Sequence, residues 1–570
     1  MTKVTVADVA AQALKRHGIE IIFGQSNPTA LMLAAEKIGI RQLFYRTENA
    51  AGVMADAFSR ISNRISAVAV QNGPAATLMV APMAEAMKAS IPMVVLVQEV
   101  PSSQRDRNAF QELDHTTLFA GVSKWTRRVD DPSRVEDNID MAMMAANSGR
   151  PGPVVLLFPK DVLMMEAVKP MLSRSADLGR FPLDRTRPDP VAISKAAQWL
   201  ADAENPLVIA GGGVHVSQAC DALANLQKIA FLPVATTNMG KGTIDEGADF
   251  SLGVAANITG ERGPARFHLP LIESADVVLL IGSRTNENGT DAWRLTPPGA
   301  KYIHIDIDGQ EIGRNYEAMR LLGDARLAIE DLTAALKKTG LEKRKAASVE
   351  LKKTIAEGRR EYQAFVAPVK ASDSTPIATE RMLAELDALL TPSDIVVADA
   401  SYASIWVTSY LRARRPGQRF LVPRGLAGLG WGLPLAMGAK LAAPEARVVN
   451  ISGDGGFAHV WSELETAVRE TIPVTTIILN NGHLGYQRHA ENFMFGQPTT
   501  AIDFAPVDHA AVARAAGADG VTITDPSEIS ATLKKALNSG KPTVIDMIVD
   551  PDAYAPVRLW DGHHQRINAK

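Results

Sequence analysis

The sequence predicts an α/β fold built on parallel sheets, and three observations carry that prediction. Short β-branched runs alternate with helix-period stretches along three long segments, the pattern of strand–helix–strand units. The strand-like runs are apolar at nearly every position, as strands covered on both faces are. At 570 residues and 61.1 kDa the chain exceeds what one hydrophobic core organises, so it divides into roughly three or four units.

In the first unit, residues 1–168, the buried strands are IEIIFG (19–24), ISAVAVQNG (65–73), IPMVVLVQ (91–98) and GPVVLLFP (152–159), with Ala- and Met-rich helical text between them. Residues 173–190 carry Pro, Arg and Asp without apolar periodicity and read as an exposed linker. The second unit, 189–340, contains PLVIAGGG (206–213), ADVVLLIGSR (275–284) and AKYIHIDID (300–308), and closes on the helical GDARLAIEDLTAALKK (323–338). Residues 342–361 mix both charge signs at helical spacing and predict a solvated linker helix. The third unit, 376–555, opens with the helical ATERMLAELDALL (378–390) and the strand SDIVVADA (393–400), and runs to VIDMIVDP (544–551); a polar tail, 556–570, follows.

Composition narrows the function. Hydrophobic residues make up 46% and charged residues 22%, as in a soluble globular protein rather than a disordered or fibrous one. A net charge of -3 supplies no basic field for a phosphodiester backbone, which argues against nucleic acid as a partner. The single Cys220 forms no internal disulfide and belongs to no metal-binding cluster, pointing to a reducing compartment. The first residues form an amphipathic helix rather than a signal peptide, and the chain holds no 18-residue apolar run, so a cytoplasmic location without a membrane span is expected.

The densest chemical signal lies at 446–487, ARVVNISGDGGFAHVWSELETAVRETIPVTTIILNNGHLGYQ, which reads as strand, turn, helix, strand, turn. Val448, Val449 and Ile451 form one buried strand and Val474, Ile477, Ile478 and Leu479 the next, while Phe457, Val460, Trp461, Leu464 and Val468 share one face of the helix between them. Asp454 and Asn481 then stand at the carboxyl ends of two parallel strands, where open α/β sheets bind ligands. Gly453, Gly455 and Gly456 would let a phosphate approach a helix N-terminus closely. An oxygen-rich pair beside phosphates suits Mg²⁺, whose shell is completed by phosphate oxygens, a backbone carbonyl and water. Taken alone, GDG is a tight turn and NN an Asx turn. Their joint spacing is what carries weight.

That spacing resembles the signature of the thiamin-diphosphate-dependent enzymes, specifically their acetolactate-synthase-like branch. The resemblance implies that Asp454, Asn481 and the main-chain carbonyl of His483 hold the Mg²⁺ that anchors thiamin diphosphate. RTENAAGVMADAFSR (46–60) resembles the family's Glu-containing segment, with Glu48 between the strand-like RQLFY and a helix. By that likeness the Glu48 carboxyl meets the aminopyrimidine N1′ and favours the imino form, whose N4′ removes the thiazolium C2 proton. Residues 70–97, with Asn72 and Gly73, resemble the loop and helix that approach the cofactor from the same domain. AFQELDHTTLFAGVSKW (109–125) resembles the segment with an active-site Gln, here Gln111, and RGLAGLGWGLPLAMGAK (424–440) the segment whose bulky apolar residue bends the cofactor, here Leu429.

The resemblance also implies three Rossmann-like domains: a pyrimidine-binding domain over 1–168, a central domain over 189–340 and a diphosphate-binding domain over 376–555. One cofactor would be held between the first domain of one subunit and the third of another, making a homodimer the minimum and a homotetramer the common arrangement. Relatives bind FAD or ADP in the central domain, and nothing in the sequence fixes an isoalloxazine site. GGGV (211–214) and NMGKGT (238–243) read as turns, and the adjacent His563 and His564 lack metal-ligand spacing.

The departures bear on the substrate. In acetolactate synthases a Gly-x-Arg-Phe-Asp-Asp-Arg run ends in an Arg that receives the acceptor's carboxylate; in IGSRTNENG (281–289) Arg284 is kept but Asn288 stands at that last position. Bidentate guanidinium recognition of an acceptor acid is therefore not expected from this run. Arg284 with Asn286 resembles the corresponding run of oxalyl-CoA decarboxylase and the 2-hydroxyacyl-CoA lyases, and Tyr486 replaces the usual Met. Two reactions stay open: decarboxylation of a 2-oxo acid with acyl transfer to an aldehyde or ketone, which is favoured, and cleavage of a 2-hydroxyacyl-CoA thioester. A non-catalytic regulator fits poorly, because Glu48, Gln111, Asp454 and Asn481 are all present.

Overall fold

The structure is a computed structural model that describes residues 3–169, 172 and 174–561; His563 and His564 lie outside the described residues. The first sheet comprises β1 (Ile21–Gly24), β2 (Arg41–Leu43), β3 (Ser66–Val70), β4 (Met93–Glu99), β5 (Trp125–Arg128) and β6 (Val154–Pro159), in the order β2-β1-β3-β4-β6-β5. The second comprises β7 (Pro206–Ala210), β8 (Val234–Thr236), β9 (Ser251–Val254), β10 (Val277–Ile281), β11 (Lys301–Asp306) and β12 (Ala318–Leu322), in the order β12-β11-β10-β7-β8-β9. The third comprises β13 (Ile395–Ala398), β14 (Phe420–Leu421), β15 (Val448–Gly453), β16 (Thr475–Asn480), β17 (Asp519–Ile523) and β18 (Thr543–Ile548), in the order β14-β13-β15-β16-β18-β17. Every ladder between these strands is parallel. Helices therefore cover both sheet faces, and the central strands read as unbroken apolar text because neither face meets water.

The first and third units pack against each other through helix Glu48–Ser62 and helix Gly432–Ala442. A Cβ on Gly438 would lie 2.1 Å from the Met54 carbonyl oxygen, so only glycine allows this approach. One apolar cluster runs from Phe23 and Val95 through Met54 and Leu435 to Val397 and Ile478, joining the two sheets into a continuous core.

Two elements differ from the sequence expectation. The linker helix spans Glu342–Lys370 and is not simply solvated: Ile355, Tyr362 and Val366 are buried, and Arg359 donates to the carbonyls of Ala248 (2.5 Å) and Ser251 (2.7 Å). Its apolar stripe is one residue every one or two turns, too sparse to stand out among charges. The helix expected after the GDG turn is two short ones, Asp454–Ala458 and Glu463–Arg469. Val460 and Trp461 sit in the break yet still pack on the core that the periodicity predicted. Among the described residues no helix is long and apolar enough to cross a membrane.

Candidate active site

Adjacent strands β15 and β16, paired from Val449–Thr475 to Gly453–Leu479, deliver Asp454 and Asn481 to the same edge of the third sheet. The two then line one cleft of about 600 Å³ with Gly453, Gly455, Gly456, His483 and Leu429. Asp454 Oδ1 accepts from Gly455 N (2.9 Å) and Oδ2 from Gly482 N (2.8 Å), which ties the carboxylate to both turns. Burial nevertheless pushes its carboxyl up to about 6. The helix that follows is only five residues long, so its dipole is small.

Beyond Asn481 the chain forms a short antiparallel bridge with 502–504, in which Leu484 N donates to Ile502 O (2.9 Å) and Phe504 N to Gly482 O (3.0 Å). Those bonds flank the His483 carbonyl without using it. The His483 imidazole nitrogen Nε2 is engaged elsewhere, by Pro551 O at 3.1 Å, and the residue's one oxygen is its main-chain carbonyl. Asp454, Asn481 and this carbonyl thus offer an all-oxygen donor set, which fits Mg²⁺ rather than a softer metal.

A second layer holds the loop bearing Leu429. Asp399, at the end of β13, accepts from Ala400 N (2.7 Å), Gly430 N (3.1 Å) and Trp431 N (3.1 Å) while burial raises its carboxyl to about 6. A Cβ on Gly456 would lie 2.4 Å from Asp399 Oδ2, which explains the second glycine after Asp454. Glu85, buried in the first unit, receives the N–H groups of Gly425 (2.7 Å), Leu426 and Ala427 (3.4 Å) and pairs with Arg60 (3.5 Å). Leu429 itself keeps 36% of its surface exposed at the cleft.

The first-unit candidates lie outside this cleft. Glu48 is the first residue of its helix, half-buried, behind the N-cap Thr47. Arg46 N (3.2 Å) and Thr47 N (2.9 Å) donate to Glu463 Oε1 of the third unit, fixing the start of that helix. Gln111 adopts a left-handed backbone (φ 61°), uncommon for a non-glycine residue. It is held by Asn72 Nδ2 to its carbonyl (2.9 Å) and Gln71 Nε2 to its Oε1 (2.6 Å). Gly73 N donates to His115 Nε2 (3.0 Å), and His115 Nδ1 donates to Glu99 (3.1 Å), so the carboxylate selects the imidazole tautomer. Among the described residues, none from the first unit lines the Asp454 cleft. One chain therefore brings Asp454, Asn481, His483, Leu429 and the three glycines together, gathers Asn72, Gly73 and Gln111 elsewhere, and does not unite the two groups.

A larger cleft of about 1160 Å³ runs along the carboxyl edge of the second sheet, from Asp306 at the end of β11 to Thr237 and Asn238 beyond β8. Gly211–Gly213, read from sequence only as a turn, line it, and so do Arg284, Asn286 and Asn288. Arg284 donates to the Lys88 carbonyl, Asn286 Oδ1 accepts from Gly289 N (2.9 Å), and Asn288 Oδ1 accepts from Asn257 Nδ2 (3.1 Å). Asn238–Gly240 is a turn, as read, and its neighbour Lys241 is buried against Glu246 (2.7 Å).

Sequence reasoning missed Glu85, Asp399 and Glu463. Asp399 alone had a readable signal, a carboxylate closing a predicted buried strand.

Three parallel α/β units with an oxygen-lined turn pair at one sheet edge define a class. The chain matches, in order, the thiamine pyrophosphate enzyme N-terminal TPP binding domain over residues 4–118, the central domain over 193–332 and the C-terminal TPP binding domain over 399–547. It belongs to the thiamine pyrophosphate enzyme family. Within that family it stands in the acetolactate-synthase-like branch: it is 32% identical over 563 residues to a probable acetolactate synthase large subunit of Methanocaldococcus jannaschii, covering 97% of this chain and 93% of that one. It is also 32% identical to the acetolactate synthase large subunit of Parasynechococcus marenigrum (96% and 88% covered) and 29% identical to the chloroplastic acetolactate synthase 1 of Oryza sativa (95% and 84% covered). The protein is a thiamin-diphosphate-dependent enzyme that makes or breaks carbon–carbon bonds next to a carbonyl.

Proposed function

We propose that this enzyme takes a 2-oxo acid as donor, releases CO₂ and joins the remaining acyl unit to a second carbonyl compound, with Mg²⁺ and thiamin diphosphate held at the Asp454 cleft. The observation that carries this reading is the all-oxygen set of Asp454, Asn481 and the free His483 carbonyl beside an open glycine turn; a Cβ on Gly453 would meet nothing within 4 Å. When bound, thiamin diphosphate supplies a nucleophilic carbon and an electron sink for the bond next to the carbonyl. The chain's own residues bind and orient. Asp454 and Asn481 hold the metal, the 453–456 turn receives the diphosphate, Leu429 supports the cofactor's bend, and Glu48 holds a proton at the aminopyrimidine N1′.

Glu48, Asn72, Gly73 and Gln111 reach that cleft from a second subunit in this reading, which makes a homodimer the working unit and a homotetramer its pairing. Support comes from the separation of the two groups within one chain and from apolar side chains left in water beside both: Phe110 is 84% exposed and Leu426 51%. Residues 1–168, 189–340 and 376–555 are assigned as the pyrimidine, central and diphosphate domains. With a lone buried Cys220, the cytoplasm is the assigned location.

The central cleft suits an ADP moiety. Gly211–Gly213 after β7 line it with backbone held close to Gly282, and Asp306 at the end of β11 offers ribose hydroxyls an acceptor. Acid extraction of the purified protein is expected to release an adenine nucleotide; a nucleotide-free extract from protein active without added nucleotide would remove this assignment.

The main test follows pyruvate consumption and 2-hydroxyacyl-CoA cleavage side by side. Pyruvate turnover that requires thiamin diphosphate, stops on chelation and returns with Mg²⁺ is expected. Turnover of the thioester alone would replace this reading with the acyl-CoA lyase.

A further inference from the structure

The strongest unassigned feature is a guanidinium without an anion. Arg424 follows β14 and is, among the described residues, the third unit's contribution to the lining of the central cleft, which Asn286, Asn288 and Gly289 share. Its Nη2 donates to Ser404 Oγ at 2.5 Å, its Nε is buried without a partner, and among the described residues no carboxylate oxygen lies within 4.0 Å of it. Glu85 acts on it through space but is already spent on Arg60 and on the N–H groups of residues 425–427. Tyr486 is the other group that acts on it, and Tyr486 lines the Asp454 cleft. Arg424 therefore sits where the two clefts meet. Burial lowers its pKa only to about 10, so it is charged at neutral pH.

Arg424 is half-buried, and holding a partly desolvated guanidinium without a counter-charge is unfavourable; an arriving carboxylate supplies both the charge and a planar match to the fork. We propose that Arg424 recognises the carboxylate of the acceptor substrate, so that the second carbonyl compound is itself an acid. This rests on the carboligase reading above. The choice of acceptor over donor follows from the chemistry: pairing the donor's carboxylate with a cation would stabilise the ground state of the group that must leave as CO₂, whereas the acceptor's carboxylate survives the reaction. Arg424 thereby supplies the contact that Asn288, in the same cleft, does not.

The test offers pyruvate as donor with a mixture of two acceptors, a 2-oxo acid and acetaldehyde, and reads the ratio of acidic to neutral product. That ratio does not depend on how much enzyme is folded or loaded. Arg424→Gln is expected to shift it at least about tenfold toward the neutral product, the loss of one or two charge-assisted hydrogen bonds, with Arg424→Lys in between. Calorimetric titration with oxamate, an unreactive 2-oxo acid isostere, gives a readout apart from turnover and should weaken by a similar factor. An unchanged ratio, a parallel fall of both products, or oxamate binding that ignores the substitution would overturn the proposal. Absence of any pyruvate turnover by the unaltered enzyme would sink the carboligase reading, and this proposal with it.

Discussion

Glu48→Gln chains and Asp454→Ala chains, each nearly inactive alone, are expected to regain activity when unfolded and refolded together. In the proposed dimer each site takes Glu48 from one subunit and Asp454 from the other. Random pairing makes about half of the dimers mixed, and each mixed dimer holds one site with both residues intact and one with neither, so about one quarter of the unaltered activity should return. The single-variant losses are large for different reasons. Glu48→Gln keeps the shape and one hydrogen-bonding edge but cannot hold the proton at N1′, which costs roughly 10²–10⁴-fold for a general acid–base contact, with little change in cofactor affinity. Deuterium exchange at the thiazolium C2 should slow in parallel. If both residues acted within one chain, mixing would restore nothing, because neither chain carries both; that null result, or full activity of a monomer in ultracentrifugation, would defeat the shared site.

How far the sequence revealed this molecule depends on how local each determinant is. Central strands such as β4 and β16 were legible because burial on both faces leaves an apolar run. Apart from β2, which lies in the strand-like RQLFY, edge strands were not: β5 (WTRR) and β17 (DGVTI) meet a neighbour on one side only and keep polar residues, and β14 is two residues long. β8, β9 and β12 in the second sheet likewise lie toward or at its edges. Asp454 and Asn481 were legible because two adjacent parallel strands fix their separation in sequence and in space together. Glu85 and Glu463 were not, since their partners are backbone N–H groups 340 and 417 residues away, and a bond from carboxylate to main chain leaves no mark on the partner's side chain. Arg424 escaped for the opposite reason: it has no acidic partner to suggest its role.

Asp454→Ala should lower metal-supported thiamin diphosphate affinity beyond the ~10–100-fold typical of losing a group one step removed from a metal, because it deletes the only anionic ligand in the proposed set. The same residue predicts a pH dependence. Burial raises the Asp454 carboxyl to about 6 in the metal-free protein, above its ordinary 3.8. Between those values the native state binds a proton that the unfolded chain has released, so this group makes metal-free stability fall as pH rises through that window. Above about pH 6 the buried carboxylate is ionised with only two N–H groups to answer it, and in the proposed site Mg²⁺ would supply the counter-charge. Below it, proton and metal compete, so Mg²⁺ affinity should fall by about tenfold per pH unit as acid is added. The increase in Tm on adding Mg²⁺ and thiamin diphosphate should therefore be larger at pH 7.5 than at about pH 5, and Asp454→Asn should flatten that difference while keeping the fold. Equal stabilisation at both pH values in the unaltered enzyme would show that Asp454 does not bind the metal as a carboxylate.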